Sequence, residues 1–372
     1  MKRWVIGLPV LLALMACGAV SPVGTAGSPF ASGARTALPT STPPSRSPTD
    51  AVLVDLTAHG SSYTVSLVSS DGGVSRQMVG LKRTEIVAHG GHAIQLPYVS
   101  TTLASLYYLD GDSVLHGIRI NSAPPADVKL DVPSGSEAAF AVAPDDSMIA
   151  VAVLDYTRAP VHLTLYTDTM AGGHKHVIFE STSTYVWPVA WHSGLLVLAH
   201  AYGPFEESIA PAAPARDNPY SAISYHLVDP ATATRKVLMG ACTVSGPLSP
   251  AGSGCIQGGT IDWLGNTSDW STLDWGTRSS AAALSPDGQW VAATNPDDPA
   301  QMSIWRRDGT ILKSVSGPGL HDWAGWIDDH TIVIGSEGAD WQPLVLNPFT
   351  GDAAYTVAAR GFFAGVFPTN VV

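Results

Sequence analysis

Five of the ten tryptophans that follow Trp4 come directly after an acid: Asp262-Trp263, Asp269-Trp270, Asp274-Trp275, Asp322-Trp323 and Asp340-Trp341. An indole face beside a carboxylate suits a sugar, whose apolar C–H faces stack on the ring while its hydroxyls bond the acid. The same residue type fills the space between packed sheets, its N–H finding a nearby acceptor. Packing is therefore the first expectation for any one tryptophan. The crowded group Trp263, Trp270 and Trp275, with Asp262, Asp269 and Asp274, is the candidate ligand platform. A second candidate set, Glu206, Glu207, Arg216, Asp217 and Tyr220, lies in the insertion GPFEESIAPAAPARDNPY, which is longer than an ordinary connection between strands and is either a recognition loop or a tolerated surface excursion. His89 with His92, and His174 with His176, place imidazoles near one another, but a metal needs further ligands; solvated loop or strand histidines are expected, with no metal and no cofactor. The chain has no GxSxG elbow, no HExxH, no P-loop and no DxDxDG calcium loop. No catalytic residue is assigned, and a non-enzyme is the preferred reading.

The elements that would carry these residues are strands. Charged residues make up only 13% of the chain, Gly (36) and Pro (28) are abundant, and Gly or Pro interrupts most segments that could be helical. From Asp50 onward, short β-type runs alternate with turn signals. Two stretches repeat one unit: FAVAPDDSMIAVAVLD from Phe140 and AALSPDGQWVAATNPD from Ala282. In each, small and apolar residues enter a Pro-Asp turn and an alternating apolar strand leaves it. Pro144 and Pro286 are 142 residues apart, three steps of about 47, and a step of that size matches one four-stranded propeller blade.

The run SPDGQWVA at 285–292, followed by MSIWRRDGT at 302–310, resembles the TolB-like and WD-repeat-like propellers of secreted bacterial proteins. The resemblance implies an all-β propeller of four-stranded blades over residues 50–372, and counting the turn-plus-strand units along the chain gives seven blades, with six as the alternative. Further units are read at 51–73, 106–120, 189–200, 247–255 and 325–337, the one around Pro250 being the weakest. Such propellers place small residues on inner strands, for which Ala150-Val151-Ala152 and Ala292-Ala293 are the candidates. They often close by pairing the two termini, and here GFFAGVFP at 361–368 would pair with residues 51–56. Ser285-Pro286-Asp287-Gly288 misses the Asp-box of sialidase propellers, because Gln289 stands where that motif needs glycine. A tight turn is expected there.

The first seventeen residues give an address. Lys2 and Arg3, an apolar segment from Trp4 to Met15, and Leu14-Met15-Ala16-Cys17 closely resemble a bacterial lipoprotein signal, too short to span a bilayer. The resemblance implies a signal peptide over 1–16 and an acylated Cys17, hence a protein held on the extracytoplasmic side of the bacterial cell membrane. Residues 18–49 are almost wholly Gly, Ala, Ser, Thr and Pro, a tether with a typical span of about 30 Å. With Cys17 lipidated, Cys242 and Cys255 remain as one pair in an oxidising compartment and are expected to form a disulfide worth about 3 kcal/mol, the alternative being two buried thiols. Removing Lys2 and Arg3 from the 19 basic residues leaves 17 against 31 acids. That balance argues against nucleic acid and against anionic headgroups as partners. The expectation is a lipid-anchored binding module for an envelope protein or other ligand. A carbohydrate-binding or carbohydrate-active surface protein, and a structural subunit of an envelope assembly, are the alternatives.

Overall fold

The computed structural model describes residues 49–84, 96–119, 122–192, 194–201 and 224–239, and then 253–254, 259–261, 267–269, 282–287, 289–294, 301–306, 310–316, 324–334, 342–350 and 355–368. Met1–Ser45 and Arg46–Val372 separate as two units, and the description concerns the second. The signal peptide, Cys17 and almost all of the tether lie outside the described residues, as do Cys242 and Cys255.

All regular structure among the described residues is β. In chain order the first sheet contains β1 (Thr49–His59), β2 (Ser62–Val68) and β3 (Val74–Leu81); the second β4 (Val99–Thr101), β5 (Ser105–Asp110), β6 (Val114–Arg119) and β7 (Val128–Lys129). The third contains β8 (Ser136–Val142), β9 (Met148–Asp155), β10 (His162–Thr169) and β11 (His176–Ser181); the fourth β12 (Tyr185–His192), β13 (Leu195–Ala201), β14 (Ser224–Asp229) and β15 (Thr234–Met239). The fifth has three described strands, β16 (Ser253–Gly254), β17 (Gly259–Ile261) and β18 (Thr267–Asp269). The sixth is β19 (Ala282–Leu284), β20 (Trp290–Thr294), β21 (Gln301–Arg306) and β22 (Ile311–Ser316). The seventh is β23 (Ala324–Trp326), β24 (Ile332–Ile334), β25 (Leu344–Leu346) and β26 (Tyr355–Thr356). The last strand, β27 (Phe362–Pro368), returns to the first sheet beside β1, making six four-stranded sheets and one three-stranded sheet, all antiparallel.

The sheets form a β-propeller. Inner strands of neighbouring sheets touch in one continuous arc, β12 to β8 to β4 to β27 to β23 to β19 to β16. The expected closure is present, with β27 running antiparallel to β1 from Thr49↔Pro368 to Val54↔Phe362. Glycine makes that closure possible at two close approaches. A Cβ on Gly325 of β23 would sit 2.0 Å from the Phe363 ring, and one on Gly361 (φ 121°) would sit 2.4 Å from the Val54 carbonyl. The weakest unit of the sequence reading is the three-stranded sheet. One placement is corrected: Ala150-Val151-Ala152 and Ala292-Ala293 lie on second strands, β9 and β20, whereas β8 and β19 are the inner ones. A Pro-Asp turn joins a first strand to a second, so the alanines after it fall one strand further out than those before it.

The core lies in the wedges between blades. One apolar cluster joins sheets one to three around Tyr63, Tyr107 and Phe140; another joins sheets three and four around Trp187 and Tyr225. The expected use of tryptophan in packing recurs in the repeat. Trp191 Nε1 on β12 donates to the Ala141 carbonyl on β8 at 3.0 Å, and Trp326 Nε1 on β23 donates to the Ala283 carbonyl on β19 at 2.9 Å. In both cases an inner-strand indole reaches back to the inner strand of the preceding blade and satisfies its N–H there.

Candidate binding face

Antiparallel order gives the propeller two unlike ends. First-to-second and third-to-fourth strand connections leave one end, and second-to-third and sheet-to-sheet connections leave the other. At the first end the connections are mostly tight, 102–104, 143–147, 285–289 and 327–331 between first and second strands and 69–73, 170–175 and 230–233 between third and fourth, with 120–127 and 347–354 longer. The other end receives 82–98, 202–223, 240–252 and 335–343. We call these the short-turn face and the long-loop face.

Side chains closing on their own backbone build the short turns. Ser285 Oγ donates to Asp287 Oδ1 at 2.5 Å, and the Gln289 and Trp290 amides donate to Asp287 Oδ1 (3.0 Å) and Ser285 Oγ (3.0 Å). This is the tight turn expected at Pro286-Asp287. In the sister turn the Asp145 carboxylate accepts from the Ser147 hydroxyl and amide, which holds it below the usual carboxylate range. Asp146 stands where the repeat has Gly288 and adopts φ 59°. Its Oδ2 accepts from Arg119 Nη2 at 2.6 Å and from Ser105 Oγ at 2.7 Å, clamping the second blade to the third, while its buried Oδ1 has no hydrogen-bond partner.

The long-loop face carries a second set of titratable side chains. Arg83, in the β3–β4 connection, is buried and spends its guanidinium on backbone carbonyls: Nε and Nη2 on Ala138 (3.1 and 2.9 Å), Nη1 on Leu96 (3.1 Å) and Nη2 on Pro97 (2.5 Å). It also lies 4.1 Å over the Tyr98 ring. The crossing from blade one is thereby fixed to the inner strand of blade three. Next to Ala138, the Glu137 carboxyl is pushed above its ordinary range by burial, with Arg83 and the Tyr156 hydroxyl (3.4 Å) opposing the shift. Burial and then Glu137 raise Tyr156 well above the usual phenol value. Asp112 accepts from the Thr84 amide and hydroxyl at 2.6 and 2.8 Å, and Asp110 Oδ1 accepts from the Leu81 amide at 2.7 Å, joining blades one and two at the same end. Further round, His200 on β13 and His226 on β14 lie with ring centroids 5.1 Å apart at the foot of the 202–223 connection.

Of the sequence candidates, Glu206, Glu207, Arg216, Asp217 and Tyr220 lie outside the described residues, within the connection between β13 and β14. Asp262 and Trp263, between β17 and β18, and Trp270, Asp274 and Trp275, after β18, also lie outside them. Asp269 is the last residue of β18 and pairs with Gly259. His174 and His176 are exposed beside the β10–β11 turn, the His174 amide donating to Asp168 Oδ1 at 2.8 Å; His89 and His92 are outside the described residues. Among the described residues no three His, Cys, Asp or Glu side chains converge as a metal site. Sequence reading passed over Arg83, Glu137, His200 and His226. Their signals were present: Glu137 is the one acid in SGSEAAFAVAP, and His200 ends the apolar run LLVLAH.

No family model matches the chain, and no curated protein sequence matches it. Among solved structures, an oligogalacturonate lyase in complex with manganese is similar at 10% identity and TM-score 0.44, covering 77% of this chain and 85% of that one. The oligogalacturonate lyase from Vibrio parahaemolyticus is similar at 8% identity and TM-score 0.45, covering 81% and 97%. BamB from Moraxella catarrhalis is similar at 14% identity and TM-score 0.38, covering 88% and 84%. These likenesses carry no activity to this chain, whose propeller architecture rests on its own sheets and their closure.

Proposed function

We propose that this chain is a lipid-anchored, extracytoplasmic β-propeller that binds an envelope protein at its long-loop face without catalysing a reaction. The observation that carries the reading is the division between faces: the longest connections, 82–98, 240–252 and the candidate loop 202–223, leave from one end, while most connections at the other end are tight turns. Long loops on a rigid scaffold are where recognition usually resides. The lipoprotein-like start through Cys17 and the Ser/Pro-rich tether support the anchoring, and the acidic balance of the chain leaves the acyl group as the membrane contact.

The test uses the full chain expressed in its native envelope, where Cys17→Ser is expected to release it from the membrane fraction. Replacing residues 204–219 by a short Gly-Ser linker is expected to abolish co-purification of its partner while the melting temperature stays within a few degrees. Retention of the Cys17→Ser chain in membranes would overturn the anchoring. Turnover of ester, peptide or glycoside substrates by the purified chain would overturn the non-catalytic reading, and a glycan-array signal lost in Trp270→Ala would replace the protein partner by a carbohydrate.

A further inference from the structure

Each blade ends on a fourth strand whose outer edge has no partner within the blade, and such an edge is a template for another chain unless it is short or carries charge. The described fourth strands mostly meet that condition. Arg76 stands on β3, Lys129 on β7, Arg235 and Lys236 on β15 and Lys313 on β22, while β26 has only two residues. β11 differs: its six residues, His176-Val177-Ile178-Phe179-Glu180-Ser181, include neither Lys nor Arg nor Pro. It is the outermost strand of the third sheet, bonded to β10 on one side, and among the described residues no strand pairs with its other side. Val177 and Phe179 are 44% and 36% exposed. Lys175, just before the strand, bonds Asp131 at 2.6 Å and lies 4.3 Å from the centroid of the Tyr166 ring, so its charge is engaged within the blade and its neighbour. A bulge at Ile178 does not set β11 apart, because β3, β15 and β22 carry one too, at Ser75, Lys236 and Leu312.

The residues of β11 complement themselves. In an antiparallel pairing of two copies about Ile178, His176 of each strand faces Glu180 of the other and Val177 faces Phe179. An imidazole then stands opposite a carboxylate, and an apolar side chain opposite an apolar one, twice over. We propose that β11 is a self-complementary edge at which two copies of this chain pair across a two-fold axis, joining two third blades into one eight-stranded sheet. The backbone of the edge supplies hydrogen bonds that any strand could take, and the side-chain register supplies the choice of a second copy. One term opposes the pair: each chain carries a formal charge of −12, whose reach at physiological salt is about 8 Å. A six-residue edge is also small, which places the pair among transient associations rather than obligate dimers. The pairing depends on neither the lipid anchor nor a protein partner.

The experiment is sedimentation velocity of the full chain in detergent, with micelles in excess over protein, at about 1 to 100 μM, where small interfaces associate. The parent is expected to shift from monomer to dimer with concentration. Val177→Lys and Phe179→Lys should each weaken the dimer about tenfold or more, whereas Ile311→Lys, at an exposed position of β22 on the same strand as Lys313, should leave it unchanged. Glu180→Lys should weaken it too, and His176→Glu/Glu180→Lys, which exchanges acid and base across the axis, should recover most of that loss. A merely sticky surface gains nothing from the exchange. The proposal is overturned if the parent stays monomeric over the range, if the dimer survives Val177→Lys/Phe179→Lys, or if the exchange recovers nothing. A monomeric parent that captures a different protein through β11 overturns the second copy as occupant. Melting curves identify any lysine variant that fails to fold, and for it Val177→Thr/Phe179→Thr, which keeps strand propensity and removes the apolar contact, gives the answer.

Discussion

The two faces of the propeller differ in the length of the connections they carry more than in the reach of their polar groups. On the short-turn face, Asp145, Asp287, Ser147 and Ser285 bond to neighbours two to five residues away and shape their own turns, while Asp146 on the same face reaches across blades to Ser105 and Arg119. On the long-loop face, Arg83 reaches Ala138, fifty-five residues on, and Asp112 holds Thr84, twenty-eight residues back. Asp155 on that face nevertheless closes on the Thr157 amide and hydroxyl two residues on, so local turn chemistry serves both ends. The lesson is that turn chemistry in a repeat protein marks the scaffold at both ends, and that connection length is what tells the two faces apart.

The largest expected effect tests the ring on which both faces stand. Gly361→Ala introduces a Cβ against the Val54 carbonyl at a left-handed φ, and Gly325→Ala drives one into Phe363; each should cost about 3 kcal/mol or more in chemical denaturation. Parent-like stability in both would mean that β27 does not close the ring. A smaller effect sharpens the short-turn side. Asp146→Ala removes the clamp to Arg119 and Ser105 and keeps the strained φ, costing about 2 kcal/mol, whereas Asp146→Gly also relieves the backbone and should cost about 1 kcal/mol less than the alanine change. Equal losses would remove the argument from the repeat, in which Gly288 occupies that position. Neither variant should change partner binding.

The histidines give the smallest and most graded contrast. His226 is lowered to about 4 from an ordinary 6.5, so the unfolded chain binds its proton first; the stability it contributes is complete above 6.5 and falls as pH drops toward about 4. His116 has the opposite sign. Its Nδ1 pairs with Asp127 at 2.8 Å and its Nε2 with Asp110 at 3.2 Å, which raise it, so its contribution is complete below 6.5 and is lost as pH rises through its folded value. Melting temperature against pH should therefore lose its acid-side fall in His226→Ala and its neutral-side fall in His116→Ala. A common change in both variants would show that the histidines are not the titrating groups.

Much of the scaffold was legible in the sequence because it repeats. Pro144 and Pro286 identified equivalent turns three sheets apart, and the apolar run 361–368 identified the closing strand. Which strand of a blade is innermost was less legible, since alanines flank the Pro-Asp turn on both sides and the alternation of a buried strand reads alike in first and second positions. The polar groups of the long-loop face were not legible for a different reason. Arg83 and Glu137 belong to different blades, and only the three-dimensional closure of blades one to three brings a guanidinium from one beside a carboxyl of the other.

The central claim, that recognition belongs to the long-loop face, is tested most directly by site-specific photocrosslinking in native membranes. A photoreactive residue at exposed Arg158, in the β9–β10 connection of the long-loop face, is compared with one at exposed Asp145 in the β8–β9 turn of the short-turn face. The account predicts a discrete crosslinked adduct from position 158 and none from position 145. An adduct from position 145 with none from position 158 would contradict it.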